Sequence, residues 1–274
     1  MTRLLACLVF GALLAAGTPA GAAPKAELWA RWQQHDPAST LTVDHGDWGL
    51  LLGRLVRPGK DGVNRVAYRE VTPTDRAALD GYLAMLAGVP VSSLNRPEQL
   101  AYWLNLYNAL TVWVVLDHYP TRSIRDIDIS PGLFSNGPWR LKLVTVEGEA
   151  ISLDDIEHRI VRPIWHDPRI HYGLNCAAVG CPNLQPRPFA GRDLDHALDL
   201  AAMAYVNDPR GMRIEDGRLY VSSIYVWFID DFGGDAAGVI RHLMTFAEPD
   251  AAMRLQRLDA IDGHGYDWSL NDAG

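Results

Sequence analysis

The sequence is short of basic charge, of cysteine and of long uninterrupted apolar runs. Its 274 residues carry 25 Lys+Arg against 33 Asp+Glu, and the resulting net charge of −8 opposes binding to a polyanion. The N-terminal apolar run, positions 4–16, is too short to cross a bilayer. We therefore predict no nucleic-acid partner and no membrane span.

Several familiar functional motifs are also missing. The sequence contains no Gly-rich phosphate loop, no HExxH or GxSxG motif and no EF-hand loop, so it indicates no cofactor. It has no internal repeat and no linker-like segment, which favours one folded domain over several. The composition, 48% apolar and 21% charged, is typical of a globular protein.

The first 22 residues have the pattern of a secretory signal peptide. Arg3 provides the positive start, positions 4–16 the apolar stretch, and Ala20 and Ala22 a small-residue cleavage site. Cleavage near Ala22 predicts an exported protein, periplasmic or secreted, and the loss of Arg3 moves the net charge from −8 to −9. Cys7 ends the segment LLAC, which resembles the cleavage motif of a lipoprotein. Only six residues precede it, too few for an apolar segment, so a lipoprotein is the less favoured alternative.

Helical and strand-like periodicities alternate along the rest of the chain, which predicts an α+β fold. The predicted helices follow Asp47 and Thr72, cover 97–118, run from Ser152 to just before Pro163, and cover 194–206 and 235–246. The predicted strands cover 64–71, a hairpin that begins at 141–146 and turns at 147–149, 169–176, a hairpin of 212–215 with 218–221, and 224–228. We expect residues 23–44 to form an N-terminal helical extension and residues 45–274 a single helix-rich domain with a modest antiparallel or mixed sheet.

The helix predicted at 97–118 is apolar on nearly all sides, so it should be central and buried. Asn105 and Asn108 lie three residues apart on one face of this helix. Because buried amides need hydrogen-bond partners, the two asparagines either fasten neighbouring loops or line a polar pocket.

Cys176 and Cys181 are the cysteines that remain after cleavage, and three interpretations of them are open. In an oxidising compartment they form a disulfide across four intervening residues. Alternatively, one of them is a nucleophile with a lowered thiol pKa and with His158 or His171 as its base. In the third, the thiols and a histidine bind zinc, although the spacing is not a standard zinc pattern. A strand over 169–176 would place His171 and Cys176 on opposite faces, which makes His158 the better base.

Further candidate residues lie on the helix predicted after Ser152. Glu157 and His158 are adjacent, and Arg162 follows four residues after the histidine, on the same helix face. Arg162, Arg169 and Asn175 are the candidate binding residues. The plainer interpretation of this helix is a capped segment with a satisfied histidine.

Two segments near the C-terminus are less specific. Asp230 and Asp231 are paired acids that can bind a cation, but a helix cap or a solvated turn is the commoner arrangement. The aromatic segment 266–271 is expected to pack down on the core.

Four segments together resemble a known family. They are YWLNLYNAL at 102–110, SLDDIEH at 152–158, NCAAVGCP at 175–182 and YDWSLN at 266–271. In this order they are similar to the uncharacterised family called domain of unknown function 547, over about residues 45–271. The resemblance implies one recurring type of domain and no settled activity.

The first functional hypothesis is an exported thiol-dependent hydrolase or acyltransferase that acts on a peptide, amide or thioester. Such an enzyme would be distantly papain- or transglutaminase-like. Its candidate residues are Cys176 as nucleophile, His158 or His171 as base, Glu157 beside the histidine, and Asn105, Asn108 or Asn175 to orient the base or stabilise an oxyanion.

The alternative is a non-catalytic envelope protein with a structural Cys176–Cys181 bridge, which binds a small molecule or a partner. A metal-assisted hydrolase that uses Glu157, His158 and His171 is a third hypothesis. No feature of the sequence specifies an oligomeric state.

Overall fold

The structure, a computed structural model, describes residues 24–132 and 137–274. The predicted signal peptide therefore lies outside the described residues. The predicted N-terminal extension contains one short 3-10 turn, Ala30–Gln33, and its remaining described residues are not helical. The extension is fastened to the rest of the chain by a backbone hydrogen bond from Glu27 N to His158 O (2.9 Å).

Helices make up most of the regular structure in the described ranges. They are α1 (Gly46–Leu55), α2 (Pro73–Ala87), α3 (Arg96–Asp117), a π-helix (Asp155–Val161) that runs directly into α4 (Arg162–Trp165), α5 (Ile170–Gly173), α6 (Leu194–Val206), α7 (Ser223–Trp227), α8 (Ala236–Phe246) and α9 (Pro249–Leu255). The predicted helices at 97–118, 194–206 and 235–246 are confirmed as α3, α6 and α8.

The strands are short and form small sheets. They are β1 (Val56–Pro58), β2 (Asn64–Val66), β3 (Val144–Val146), β4 (Glu149–Ile151), β5 (Met212–Glu215), β6 (Arg218–Ser222) and β7 (Gly263–Gly265). β1 pairs with β2, β3 with β4 and β5 with β6, all antiparallel, and β7 adds to β6 in parallel. Helices together with modest antiparallel and mixed sheets confirm the α+β prediction.

Helix α3 lies at the centre of the molecule, as its apolar pattern predicts. The Asn95 side chain accepts a hydrogen bond from the Glu98 amide (3.0 Å), and Pro97 occupies the first turn, where its missing N–H costs nothing. Side chains on every face of α3 are buried between positions 98 and 112. The helix therefore forms the axis around which the larger apolar core is built.

The buried apolar side chains form two clusters. The larger one surrounds α3 and includes Ile156 and Ile160 of the π-helix. The smaller one joins Tyr172 to the C-terminal half of α6, to β5 and β6, and to α7 and α8. The π-helix and α5 lie where the two clusters meet, and this junction holds the polar site described below.

The predicted strand at 224–228 is wrong, and the predicted strand at 64–71 is correct only in part. Residues 224–228 belong to α7, which begins because the Ser222 side chain accepts a hydrogen bond from the Ile224 amide (3.3 Å). The predicted strand at 64–71 stops at Val66 and continues as a 3-10 turn, Tyr68–Glu70. Short apolar runs have too few residues to distinguish a period of 2 from one of 3.6, so local caps decide the outcome.

Candidate functional site

The helical segment that contains the π-helix begins with a reciprocal cap between Ser152 and Asp155. The Ser152 hydroxyl accepts from the Asp155 amide (3.2 Å), and the Asp155 carboxylate accepts from the Ser152 amide (2.8 Å). The predicted end before Pro163 is wrong, because this proline falls in the first turn of α4, where no amide hydrogen is needed. π-turns are rare and frequent at functional sites, and this one carries Glu157 and His158.

A short helix, not a strand, presents His171. The Asp167 side chain accepts a hydrogen bond from the Arg169 amide (2.8 Å), and backbone bonds from Ile170 and His171 to Asp167 and Pro168 close the first turns of α5. The predicted strand at 169–176 is therefore wrong, and the separation of His171 from Cys176 by strand parity does not apply. The helix directs the buried His171 ring toward the π-helix.

Asp231 joins His171 to Arg162. Its Oδ2 atom lies 2.8 Å from His171 Nε2 and 2.6 Å from Arg162 Nε. Burial alone would raise the pKa of Asp231, but the hydrogen bonds from His171 and Arg162 outweigh it and lower the pKa to about 2. Asp231 is therefore an ionised carboxylate that holds the proton of His171 on Nε2.

His158 occupies the opposite side of Arg162. Its Nδ1 atom lies 3.1 Å from Arg162 Nη1, and its Nε2 atom lies 3.7 Å from Asp154 Oδ1. Burial lowers the pKa of His158, which favours the neutral ring. Because a guanidinium group only donates, Nδ1 must accept and the remaining proton is assigned to Nε2, facing Asp154.

Glu157 closes the ring of side chains. Its Oε2 atom accepts a hydrogen bond from the Tyr107 hydroxyl (3.2 Å), while Oε1 lies 4.0 Å from Nδ1 of both His158 and His171. These two separations exceed hydrogen-bond distance. We call Glu157, His158, Arg162, His171 and Asp231 the Glu157 cluster.

Phe228 forms an apolar surface against the Glu157 cluster. The His171 ring stacks on it with centroids 4.3 Å apart, and the Arg162 guanidinium lies 4.7 Å from its centroid. The Phe228 ring thus limits water around the charged groups, which strengthens their mutual interactions.

Asp154 lies at the more open side of the cluster. Its side chain is 28% exposed, and its backbone amide donates to the Trp139 carbonyl (2.9 Å). Burial and the neighbouring Glu157 carboxylate raise the pKa of Asp154 to about 6. This carboxyl group is therefore half protonated at about pH 6, where an ordinary aspartate is fully ionised.

The predicted disulfide between Cys176 and Cys181 is present, with Cα atoms 6.2 Å apart. Cys176 is partly exposed, whereas Cys181 is 3% exposed. Ala177, directly after Cys176, has a φ of 59°, a left-handed conformation that costs a non-glycine residue energy and that clusters at functional sites. We call residues 176–181 the cysteine loop.

The C-terminal segment lies against the cysteine loop. The Gly180 amide donates to the Asp267 carbonyl (2.8 Å), and a Cβ atom at Gly180 would approach the Asp267 backbone nitrogen to 2.7 Å. This close approach leaves no room for a side chain at position 180, so glycine is needed there. The positive φ of the turn is found at Ala177 instead. The Tyr266 hydroxyl, in the same segment, lies 3.0 Å from Cys176 Sγ and 3.1 Å from Cys181 Sγ.

Tyr266 lies between the cysteine loop and a group of aromatic rings. Burial, together with nearby ionisable groups that include Glu157, raises the pKa of Tyr266 well above its ordinary value, so its hydroxyl stays protonated. Its ring lies 5.0 Å from Trp227 and 4.7 Å from Trp268, and Trp268 lies 5.9 Å from Trp139. We call these four partly exposed residues the aromatic rim.

The two candidate asparagines of α3, Asn105 and Asn108, bond to backbone atoms and not to the Glu157 cluster. Asn105 exchanges two hydrogen bonds with the backbone of Phe189 (2.8 and 3.0 Å). Asn108 donates to the Gly173 carbonyl and accepts from the Asn175 amide, both at 2.8 Å. Both asparagines are almost fully buried, so in this structure they fasten loops to α3.

The two remaining candidate binding residues also have internal partners. Arg169 pairs with Asp167 (2.7 Å), Asp195 (2.6 Å) and Asp199 (2.7 Å). Asn175 donates to the Pro182 carbonyl (2.8 Å) and so holds the cysteine loop in shape. Their contacts are structural, whereas those of Arg162 belong to the Glu157 cluster.

Residues 91–206 match the model of a family described as "Protein of unknown function, DUF547". The match supports a DUF547 domain over these residues. This confirms the resemblance seen in the sequence, over a shorter range. No curated protein and no solved structure matches the chain.

Within residues 91–206 the DUF547 match includes Glu157, both histidines and both cysteines, whereas Asp231 and Tyr266 follow it. Sequence reasoning missed Asp154, Tyr107 and Tyr266 as site residues and treated Asp231 as a turn. The SLDDIEH segment did place Asp154 beside Glu157, but the partners Asp231 and Tyr266 are distant in sequence.

In the part of the chain that the structure describes, no group of three or more His, Cys, Asp or Glu side chains has the arrangement needed to hold a metal ion. The third hypothesis, a metal-assisted hydrolase, therefore gains no support from the Glu157 cluster. Among residues 24–132 and 137–274, no helix is long and apolar enough to cross a membrane.

Proposed function

We propose that the protein is an exported hydrolase that works by acid–base catalysis at the Glu157 cluster, on a substrate of the glycoside class. The observation that carries this proposal is the Asp154 carboxyl, whose pKa is raised to about 6, in a partly open position beside Glu157. Export rests on the signal-like sequence before residue 23.

The proton transfers are assigned from the hydrogen bonds. Asp154, which keeps its proton up to about pH 6, donates it to the leaving group. Glu157 accepts a proton from the attacking water through Oε1, which has no imidazole nitrogen closer than 4.0 Å. A pair of carboxyl groups with separate acid and base roles is the usual arrangement for glycoside hydrolysis.

The histidines and Arg162 position these carboxyl groups. His158 Nε2 lies 3.7 Å from Asp154 Oδ1, an electrostatic contact longer than a hydrogen bond, and Arg162 fixes that ring through Nδ1. The aromatic rim supplies flat apolar faces of the kind on which sugar rings stack. Trp139 is joined directly to Asp154 by a backbone hydrogen bond (2.9 Å).

The proposal is tested by hydrolysis of a panel of chromogenic glycosides across a range of pH. Asp154→Asn should lower kcat/KM by about 100-fold or more, and it should remove the loss of activity as pH rises through about 6. Glu157→Gln should cause a similar loss. Asp117→Asn is the matched control, because Asp117 is an exposed carboxylate paired with Arg76 on the surface. Equal activity of Asp154→Asn and Asp117→Asn would refute the acid–base assignment.

A second candidate function is the thiol-dependent hydrolase or acyltransferase acting on a peptide, amide or thioester. The partly exposed Cys176 followed by the left-handed Ala177 favours it, because such turns often present a nucleophile. Cys176 must first be released from its bridge, and both histidines bond to side chains other than the cysteines.

The two candidates differ in their dependence on Cys176. With reduced protein and a thioester or amide substrate, the thiol mechanism predicts loss of turnover in Cys176→Ser and retention in Cys181→Ser. The acid–base mechanism predicts that both variants keep glycoside hydrolysis. If folded wild-type protein hydrolyses neither class of substrate, the non-catalytic binding protein with a structural bridge becomes the better explanation.

A further inference from the structure

The cysteine loop has an asymmetry that neither the acid–base mechanism nor a purely structural bridge uses. Cys176 is partly exposed and Cys181 is 3% exposed, so the first cysteine is the more accessible one to an incoming thiol. At the same time Cys181 Sγ accepts a hydrogen bond from the Cys176 amide at 2.8 Å, and the Tyr266 hydroxyl faces both sulfurs, 3.1 Å from Cys181 Sγ and 3.0 Å from Cys176 Sγ.

These hydrogen bonds are placed where negative charge develops during thiol–disulfide exchange. Attack on Cys176 Sγ expels Cys181 as a thiolate, and a thiolate that is stabilised by donors leaves faster. The Tyr266 hydroxyl is a suitable donor because burial keeps its pKa high and its proton in place. Rings of Trp227 and Trp268 pack against Tyr266 and hold it in position.

We propose that Cys176–Cys181 is a redox-active disulfide that exchanges with thiols, with Cys176 as the attacked sulfur, Cys181 as the leaving sulfur and Tyr266 as the residue that stabilises the leaving thiolate. The reductant is a thiol, either a small monothiol or a protein dithiol. This activity is independent of the hydrolase proposal, since it requires neither Asp154 nor Glu157.

The exchange proceeds in two balanced steps. A thiolate attacks Cys176 Sγ, the Cys176–Cys181 bond breaks, and its electron pair leaves with Cys181, which gives a mixed disulfide on Cys176. A second thiolate then attacks the sulfur of the first, releases Cys176 as a thiolate and forms the oxidised product. Two thiols are oxidised to one disulfide, and the protein gains two electrons and two protons.

The test uses the full-length folded protein with glutathione, trapped by acid at intervals and analysed by mass spectrometry. The wild-type bridge should be reduced without denaturant. Cys181→Ser, whose Cys176 cannot reform the bridge, should accumulate glutathione on Cys176 when treated with oxidised glutathione, whereas Cys176→Ser should accumulate little on the buried Cys181.

The contribution of Tyr266 is measured by the rate of reduction. Tyr266→Phe should slow reduction of the bridge about tenfold, because a charge-assisted hydrogen bond to the leaving thiolate is lost. Tyr119→Phe is the matched control, since its hydroxyl donates to Asp272 (2.8 Å) and to neither sulfur. Circular dichroism checks that both variants fold.

Two results would overturn the inference. One is a bridge that resists glutathione in the folded protein and opens only in denaturant, which would make it structural. The other is equal reduction rates for folded Tyr266→Phe and Tyr119→Phe, which would remove the role of the hydroxyl. Because these measurements read sulfur chemistry alone, a failure of the hydrolase proposal would leave them unaffected.

Discussion

The asparagines of α3 and the Glu157 cluster are both buried polar groups, but they differ in what they bind. Asn105 and Asn108 bond to the backbone of distant loops, and their partners have no charge to change. The Glu157 cluster consists of ionisable side chains from three separate segments, and Glu157 Oε1 remains 4.0 Å from two imidazole nitrogens. Backbone-bonded amides hold the structure together, whereas ionisable side chains bonded to one another can also move protons.

The largest change in the free energy of unfolding is expected on substitution of Arg162, whose side chain is 4% exposed. Arg162→Ala should lower the free energy of unfolding by about 3–5 kcal/mol, because it leaves Asp231 and His158 without their shared partner. Urea unfolding measures this loss. Arg31→Ala, which removes an arginine that is 36% exposed and paired with Glu147, should cost less than about 1 kcal/mol. A loss at Arg162 no larger than this control would show that the cluster contributes little to stability.

Asn108→Ala tests the fastening side of the comparison. The change leaves the Gly173 carbonyl and the Asn175 amide unpaired in the interior, and should cost about 2–4 kcal/mol in urea unfolding. Asn207→Ala is the control, because Asn207 also donates and accepts backbone hydrogen bonds but is exposed to solvent. If both variants lose the same stability, burial is not what gives Asn108 its importance.

The pH dependence of stability should separate Asp154 from Asp231. The folded-state pKa of Asp154 is raised to about 6, so its stabilising contribution is complete below about pH 4 and disappears as pH rises through about 6. The pKa of Asp231 is lowered to about 2, so its contribution is present above about pH 4 and disappears as pH falls through about 2.

Asp154→Asn should therefore remove about 2 kcal/mol of the decline in stability between about pH 4 and pH 7, a value kept below the full shift because the side chain is 28% exposed. Urea unfolding at several pH values makes the measurement, with Asp117→Asn as the exposed control. An unchanged pH profile in Asp154→Asn would mean that another group titrates in this range.

The smallest expected effect is that of Tyr107→Phe, which removes only the hydroxyl that donates to Glu157 at 3.2 Å. It should cost about 1 kcal/mol in unfolding experiments. The variant sharpens the comparison because it changes the hydrogen bonding of Glu157 without altering any charge. A shift in the pH–activity profile, together with a loss of unfolding free energy of only about 1 kcal/mol, would place Tyr107 among the residues that position Glu157.

Local sequence signals predicted the elements that local interactions determine. The helix predicted at 97–118 is α3, with Asn95 as its cap and Pro97 in its first turn, and the hairpin predicted at 212–215 and 218–221 turns at Asp216-Gly217 between β5 and β6. The disulfide was also predictable, because its two cysteines are five residues apart in sequence. In each case the deciding interaction spans only a few residues.

The site was predictable only in part. Glu157, His158, His171 and Cys176 could be named because they lie in specific sequence segments. Their relative positions depend on a π-turn and on the short helix α5. Periodicity does not distinguish the π-turn from an α-helix, nor so short a helix from a strand. Asp231 is 60 residues from its partner His171, so no spacing rule could pair them.

The late position of Tyr266 in the sequence determines which fragments of the protein contain a complete site and when during synthesis the cysteine loop is completed. A fragment trimmed to residues 91–206, the range by which the family is recognised, would keep both cysteines and both histidines but lose Asp231, Phe228 and Tyr266. Tyr266 follows Cys181 by 85 residues in the sequence. During synthesis its hydroxyl can therefore contact the two sulfurs only after almost the whole domain has left the ribosome. The stretch that identifies this protein is therefore shorter than the stretch that must be translated before its cysteine loop is complete.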